Sequence, residues 1–355
     1  MTALNIFAKS SPARPTVVYD TYWRFAAERQ EIFFRRQANG SPPWTNDPIL
    51  VKHKFTNAYR ASDRVSQFLI RNVIYRGDQS PQEVFFRCIL FKIFNRESTW
   101  RRLETELGEI RYATYSFKHY DEVFESARRR KERIFSAAYI MPTHAKDFTD
   151  SAKHRNYLAL LERMMADGLP SRLLDAKSME GAFKLVRAYP LIGDFLAYQF
   201  VTDLNYSNML NFSEMDFVVA GPGAKDGISK CFAATSDHTE ADLIRLVADR
   251  QDEEFARLGL HFRSLWGRPL QLIDSQNLFC EVSKYARLAH PEIPGISGRT
   301  RIKQRFTANP QVIQYWFPPK WGLNDLISAG TEHPSWKMVA NATTPHTAGF
   351  FDRRT

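Results

Sequence analysis

Cysteine is scarce in this 355-residue chain, and the few that occur lie far apart. The three cysteines, Cys88, Cys231 and Cys280, form no Cys-x-x-Cys pair, which excludes a zinc or iron–sulfur site built on that spacing. None of the nine histidines pairs at a His-x-x-x-His spacing. We therefore expect neither a metal nor another cofactor, and the low cysteine content fits a reducing cytoplasm.

Long apolar runs are also missing from the sequence. No stretch of about 18 apolar residues occurs, as a membrane-spanning helix would need. The first residues, Met1 to Asn5, do not combine a charged region with an apolar run, as a signal peptide would. We expect a cytoplasmic protein that has no membrane partner, and the sequence sets no oligomeric state.

Acidic residues are outnumbered by basic ones. The chain has 49 Lys and Arg against 39 Asp and Glu, a formal net charge of +10. This surplus favours a polyanionic partner, because each phosphate that a basic side chain neutralises releases condensed counterions. An acidic membrane surface would attract the same charge, so the choice between partners depends on the motifs.

Helical periodicity dominates the chain, and no two-residue alternation sustains a sheet. Asp47 followed by Pro48 predicts a capped helix that continues through Val51, Phe55 and Tyr59. Further helices are predicted at 19–37, 64–74, 81–94, 98–107, 120–139, 154–167, 178–186, 239–258 and 274–288. The fold class that follows is mostly α.

A tight turn at 189–193 separates two helical patterns. Its sequence, Tyr-Pro-Leu-Ile-Gly, is followed by an apolar helix that restarts at Asp194. Backbone N–H groups at such a helix start point outward and can hold a phosphate without any side-chain charge. We therefore predict DNA-backbone contacts at Ile192, Gly193 and Asp194.

This turn resembles the Leu-Pro-Gly-Val-Gly hairpin of helix-hairpin-helix DNA glycosylases, in which an essential aspartate follows the hairpin. Asp216 lies 23 positions after Gly193. The resemblance implies that Asp216, or Glu214 beside it, stabilises positive charge on the deoxyribose as the glycosidic bond breaks. Tyr189 replaces the family leucine and Asp194 stands where a hairpin lysine would, so a bifunctional lyase is not supported.

Four other segments resemble the alpha-glutamyl/putrescinyl thymine pyrophosphorylase family, whose helical domain also occurs beside 5-hydroxymethyluracil DNA kinases. They are 43–50 (PWTNDPIL), 55–64 (FTNAYRASDR), 94–100 (FNRESTW) and 276–281 (QNLFCE), within a resemblance that covers most of 19–320. Members act on hypermodified bases in phage DNA, some as amino-acid:DNA transferases, and related proteins are phage-defence glycosylases.

The family segments supply the predicted base-binding residues. Amide and guanidinium groups on one helical face between 57 and 64 can hydrogen-bond a flipped base or a flanking phosphate, and a second donor–acceptor pair lies on the helix at 274–288. An exposed aromatic residue would stack on the base. The predicted residues are Asn57, Tyr59, Arg60, Asp63, Arg64, Asn277, Glu281 and Lys284.

Two basic segments are candidates for phosphate contacts. The loop after Pro294-Gly295 carries Arg299, Arg301 and Lys303 among hydroxyl donors. Lys225 ends the segment 221–225, which lacks the Gly-x-x-x-x-Gly-Lys-Ser/Thr spacing of a phosphate loop and is interpreted as a turn lining the site.

Together these patterns predict a helix-hairpin-helix DNA glycosylase-like fold with two helical lobes around a DNA-binding cleft. The predicted segments are a flexible N-terminus (1–16), an N-terminal lobe (17–150), a helix-hairpin-helix lobe with the catalytic loop (151–235), a C-terminal helical segment (236–321) and a loosely packed tail (322–355).

The leading functional hypothesis is a monofunctional DNA glycosylase in anti-phage defence. It would flip a hypermodified pyrimidine out of double-stranded DNA and leave an abasic site. One alternative is a transferase that places an amine or amino acid on an activated 5-hydroxymethyl-pyrimidine in DNA. The other is a non-catalytic module that binds modified DNA.

Overall fold

The computed structural model describes residues 12–38, 41–138, 141–309 and 313–328. These residues are mostly α-helical, as predicted. The predicted flexible N-terminus and loosely packed tail lie largely outside them. In chain order the helices are α1 (Val17–Ala38), α2 (Pro48–Lys52), α3 (Arg64–Phe68), α4 (Pro81–Phe94), α5 (Glu97–Leu107), α6 (Phe117–Arg129), α7 (Lys153–Ala166), α8 (Leu169–Leu174), α9 (Met179–Arg187), α10 (Asp194–Leu204), α11 (Pro222–Cys231), α12 (Glu240–Asp249), α13 (Gln251–Arg257), α14 (Leu272–Ala289) and α15 (Asn324–Ser328).

Shorter elements complete the described chain. A π-helix at Leu69–Ile74 continues α3, and two short strands, β1 (Arg14–Pro15) and β2 (Phe232–Ala234), pair antiparallel. Single 3₁₀ turns occur at Arg60–Ser62, Tyr112–Thr114 and Pro319–Trp321.

The chain forms two compact units that do not follow sequence order. Unit 1 comprises Met1–Asp63, Val218–Tyr315 and Leu323–Thr355, and unit 2 comprises Arg64–Phe217 and Trp316–Gly322. This division cuts across the predicted segments, whose boundaries stay a prediction.

Unit 1 is built on the packing of α11 against α14. Gly223 and Gly227, one helical turn apart, face α14 so closely that a Cβ on Gly227 would overlap the carbonyl of Phe279. Tyr22 of α1 packs against the ring of Phe279 with centroids 4.7 Å apart. Glycine is therefore required at 227 because it lets two helix backbones approach.

Unit 2 is centred on α4, in which every residue from Glu83 to Phe94 is buried. Phe94 packs against Phe124 of α6 with ring centroids 4.4 Å apart. Its one buried lysine, Lys92, forms an ion pair with Asp203 at 2.9 Å. A helix that is buried on all sides and mostly apolar is expected at the centre of an α-helical unit.

Within the described ranges, no helix has the length and apolar character needed to cross a membrane. In the same residues, no group of three or more His, Cys, Asp or Glu side chains gathers as metal ligands would.

Candidate active site

The helix α2 is shorter than its sequence pattern predicts. It begins as predicted, because the Asp47 carboxylate accepts two N–H groups of the first turn, at 2.8 and 3.0 Å. It ends at Lys52, and the next residue is extended. The prediction that the helix continues through Phe55 and Tyr59 is therefore wrong.

Side-chain carboxylates keep the residues after α2, from 53 to 60, from continuing the α-helix. Three backbone N–H groups donate to them: Thr56 to Glu281 at 2.9 Å, Asn57 to Asp63 at 2.9 Å, and Arg60 to Asp274 at 2.8 Å. These donors would otherwise pair with helical carbonyls, so the carboxylates compete with the helix for them. The residues predicted to share one helical face there lie instead on this loop, on the 3₁₀ turn and at the start of α3: Asn57, Arg60, Asp63 and Arg64.

Asn57 and Asp63 are brought together with an arginine that the sequence analysis did not select. The Asn57 amide donates to the carbonyl of Ser62 at 2.9 Å, and its oxygen accepts from Arg29 of α1 at 3.1 Å. Arg29 also donates from Nε to the carbonyl of Thr56 at 2.9 Å. In the sequence Arg29 is one of several arginines on an amphipathic helix, which gives no signal of this role.

Thr56 lies at the centre of these contacts. Its N–H is bonded by Glu281 and its carbonyl by Arg29, at 2.9 Å each. Among the described residues, no atom forms a hydrogen bond with the buried Thr56 hydroxyl.

Glu281 and Lys284 approach the same loop from α14, which forms as predicted. Lys284 donates to Glu281 at 2.8 Å, and its ammonium lies 4.5 Å from the centre of the Phe55 ring. Asn277, one turn before Glu281, is partly exposed on the same helix. We call Arg29, Asn57, Asp63, Glu281 and Lys284 the polar cluster.

The cluster changes the acidity of Asp63. Removal from water raises the pKa of its carboxyl to about 7, and the negative charge of Glu281 adds to this rise. The hydrogen bond from Asn57 and the positive charge of Arg29 lower the pKa but do not cancel the rise. Burial lowers the pKa of the Arg29 guanidinium, which the two carboxylates partly restore. Asp63 therefore gains or loses its proton near neutral pH, as a general acid or base requires.

The neighbouring predicted residues have other surroundings. Tyr59 is only 1% exposed; its hydroxyl donates to the carbonyl of Arg268 at 2.7 Å and its ring stacks near Phe262. The expectation of an exposed stacking ring at this position is therefore wrong. Arg60 is buried, and Arg64 is the partly exposed first residue of α3 in unit 2.

The predicted hairpin forms in unit 2. A turn with Leu191 at φ 66° separates α9 from α10, and α10 begins at Asp194 as expected. Gly193 precedes the helix in an extended conformation, while Ile192 is buried. The Asp194 carboxylate pairs with Arg187 at the end of α9, which ties the two helices together.

The two predicted catalytic carboxylates also belong to unit 2. Asp216 is exposed in a turn, and its N–H donates to the carbonyl of Ser213 at 3.3 Å. Glu214 is 7% exposed. The polar cluster belongs to unit 1.

The predicted phosphate contacts of unit 1 lie on two elements. Arg299, Arg301 and Lys303 are exposed on an irregular loop. Lys225 lies on α11 and pairs with Glu240 at 3.4 Å. The segment 221–225 is thus the start of a helix, and its interpretation as a turn is wrong because glycine serves helix packing there.

Comparison with known proteins identifies the family. A family described as "5-hmdU DNA kinase, helical domain" matches residues 16–295, most of the chain and all of the polar cluster. The chain belongs to this family. A curated relative, the 5-hmdU DNA kinase of Bacillus phage SP10, is 26% identical over an alignment of 301 residues, and the match covers 79% of this chain. The chain spans about half of that relative, 47% of its length. No solved structure matches.

These findings correct the functional hypothesis. The resemblance to the helical domain that accompanies DNA kinases is confirmed. The prediction of a hydrolytic DNA glycosylase is wrong, because the relative is named as a kinase, a phosphotransferase, and group transfer leaves the sugar–base bond intact. The transferase alternative agrees better with the family.

Proposed function

We propose that this chain binds DNA carrying 5-hydroxymethylated pyrimidines and supports group transfer at the 5-substituent of the base. The observation that carries the proposal is that the family match at 16–295 contains every residue of the polar cluster. The relative's name supplies the substrate class. The cluster supplies a carboxyl with a pKa near neutrality beside two cations.

Asp63 is the proposed proton acceptor in this reaction. In phosphoryl transfer the hydroxymethyl oxygen forms a bond to phosphorus, the donor's leaving group departs with its electron pair, and the hydroxyl proton passes to Asp63. In amine transfer an amine nitrogen bonds to the methylene carbon, the activated oxygen departs, and the ammonium proton passes to Asp63. Lys284 and Arg29 would stabilise the negative charge that develops, and Asn57 positions both Arg29 and Asp63.

A second candidate is a substrate-binding module without catalysis of its own. It is favoured by the 47% coverage of the relative and by the lack of a Gly-x-x-x-x-Gly-Lys-Ser/Thr segment in the sequence. Such a segment cradles the phosphates of a nucleotide donor. In this case the nucleotide that donates the phosphoryl group would be bound by another protein or domain.

Other predictions are compatible with the proposal. The turn at Gly193 is proposed as a second phosphate contact, since α10 begins there and its N-cap glycine has no side chain to accept the first N–H groups. Glu214 and Asp216 stay predicted site carboxylates, although a role in base excision no longer applies. The helix-hairpin-helix glycosylase-like fold, the DNA-binding cleft, the defence setting and the cytoplasmic location stay predictions.

The test uses duplex oligonucleotides with one 5-hydroxymethyl-deoxyuridine or one thymidine. The chain is incubated with Mg²⁺ and ATP, or with an amine and DNA whose hydroxymethyl group is pyrophosphorylated, and nucleosides are analysed by mass after digestion. We expect a mass change only in the modified nucleoside, with a rate that rises with pH through about 7 because Asp63 must be deprotonated. Asp63→Asn should reduce the rate at least about 100-fold while DNA affinity changes little.

The matched control is Asp175→Asn, an exposed carboxylate of unit 2, which should keep the full rate. Tighter binding to modified than to unmodified DNA without any mass change would favour the binding module. Equal binding to both DNAs and no mass change would contradict both candidates.

A further inference from the structure

Two distant segments of unit 1 form a short paired ribbon. The N–H of Lys54 donates to the carbonyl of Gln304, and the N–H of Phe306 donates to the carbonyl of Lys52, each at 3.1 Å. His53 and Arg305 face each other in an antiparallel bridge between these bonds. The pairing fixes the loop 299–306 against the residues that follow α2.

The ribbon concentrates positive charge on exposed side chains. The sequence has no acidic residue from 48 to 60 or from 293 to 315. The Asp47 carboxylate is buried, caps α2 and accepts a hydrogen bond from the Tyr285 hydroxyl at 2.6 Å. It therefore does not form an ion pair with these basic side chains at the surface. We use the name ribbon for the paired segments together with the loop from 299 that leads into them, and its exposed basic residues are Lys52, Lys54, Arg299, Arg301, Lys303 and Arg305.

Contacts with α11 and α14 hold the loop in place before its paired residues begin. The Asp226 carboxylate accepts the N–H of Ser297 at 2.6 Å and the hydroxyl of buried Ser283. Gly295 lies so close to Asp226 that a Cβ would overlap it. Arg287 of α14 donates to the carbonyl of Arg301 at 3.2 Å. A loop of like charges that is anchored in this way stays assembled despite its internal repulsion.

The ribbon leads directly into the polar cluster. Lys54 is followed by Phe55, whose ring forms a cation–π contact with the Lys284 ammonium. Burial lowers the pKa of His53, and the nearby cations Arg305, Lys52 and Lys284 lower it further. Two basic ribbon residues, Lys52 and Arg305, and the cluster lysine therefore all act on the same buried histidine.

We infer that the six exposed basic residues of the ribbon form the surface on which unit 1 holds the phosphate backbone of DNA. The identity of the polyanion rests on the proposed function. Two segments that carry basic but no acidic residues fit a phosphate backbone, which offers regularly spaced negative charges and no apolar surface. Contacts of this kind would orient a DNA strand beside Asp63 without reading its sequence.

The test measures the affinity of the chain for a fluorescent duplex without modified bases between about 50 and 200 mM salt. Each phosphate contact contributes about 0.9 to the slope of log affinity against log salt. The double variant Lys52→Gln, Lys54→Gln removes two contacts, so the slope should be shallower by about 1.8. Raising the salt from about 50 to about 200 mM weakens binding of the wild type, and the corresponding loss in the variant should be about 12-fold smaller. Replacing both lysines by arginine should preserve the slope.

The control variant combines Lys146→Gln and Lys177→Gln, two exposed lysines of unit 2 with the same change in net charge. The inference would be overturned if the folded Lys52/Lys54 variant kept the wild-type slope, or if the slope fell equally in the control. Neither result would bear on the proposed transfer reaction, which is tested separately by nucleoside mass. Binding to phosphatidylserine vesicles with the same ribbon dependence, and none to DNA, would overturn the choice of partner.

Discussion

At the scale of single residues, the properties of Asp63 come from its neighbours. The sequence places it in an alternating run of polar and charged residues, which most often forms solvated ion pairs. In the structure its carboxylate accepts a backbone N–H from Asn57 and is removed from water near Glu281. Its chemistry is therefore a property of the cluster and could not be read from positions 57–64.

The raised pKa predicts how stability depends on pH. Folding raises the pKa of Asp63 from about 3.8 to about 7, so the folded protein holds this proton more tightly than the unfolded chain. The corresponding stability is fully present below pH 3.8 and is lost as pH rises to about 7. Asp63→Asn, which cannot ionise, should therefore become more stable relative to the wild type between pH 4 and 8, by at most about 4 kcal/mol.

Urea unfolding of both proteins at several pH values measures this difference. Asp175→Asn serves as the control, and its stability relative to the wild type should not follow the same pH course. A constant difference between wild type and Asp63→Asn from pH 4 to 8 would show that the carboxyl has an ordinary pKa in the folded protein.

At the scale of elements, helix positions follow local patterns and helix ends follow competition for backbone groups. α4 occupies 81–94, as predicted, because its apolar residues and the first-turn proline favour a helix whatever surrounds it. α2 stops early because acceptors from distant parts of the sequence, first the Gln304 carbonyl and then two carboxylates, take the N–H groups that would extend it. Glu281 and Asp274 lie more than two hundred residues further along, so no local pattern could reveal this.

The packing of α11 on α14 predicts an unusual effect of alanine. Gly227→Ala inside a helix would ordinarily stabilise it by about 1 kcal/mol. Here the added Cβ would overlap the Phe279 backbone, so we expect a net destabilisation of about 2 kcal/mol. The shift of the urea midpoint, followed by circular dichroism, measures it.

Gly193→Ala is the matched control for this prediction. Its Cβ would meet no atom within 4 Å among the described residues, and its φ of −84° suits alanine. It should cost less than about 1 kcal/mol. Similar losses in the two variants would mean that close helix approach is not what requires glycine at 227.

At the scale of the whole molecule, charge and family membership indicate the same partner. The net charge of +10 favours a polyanion, and the matched family is named for a DNA kinase. The glycosylase hypothesis rested on one local hairpin, on the carboxylate that follows it and on the glycosylases related to the resembled family; the hairpin does form. A hairpin of this kind can hold a phosphate in any protein that binds DNA, so it carries no information about which reaction follows.

The family assignment predicts that the DNA strands remain whole. After incubation with phage DNA that carries 5-hydroxymethylated pyrimidines, hot alkali should produce no strand breaks, because transfer at the 5-substituent creates no abasic site. Denaturing gels of treated and untreated DNA make the measurement, with a commercial glycosylase as the positive control. Alkali-labile sites that appear only in DNA incubated with the protein would contradict this prediction and favour the base-excision hypothesis.

The sequence by itself determined the helical class, most helix positions, the basic character and the segments that identify the family. These depend on the order of neighbouring residues and on composition, which the chain carries however it folds. Only the tertiary structure decided that Arg29 joins Asn57 and Asp63, that Glu281 holds the loop open, and that Lys52 and Lys54 pair with 304–306. The reason is that burial, a shifted pKa and a shared hydrogen bond arise between residues that only folding brings into contact.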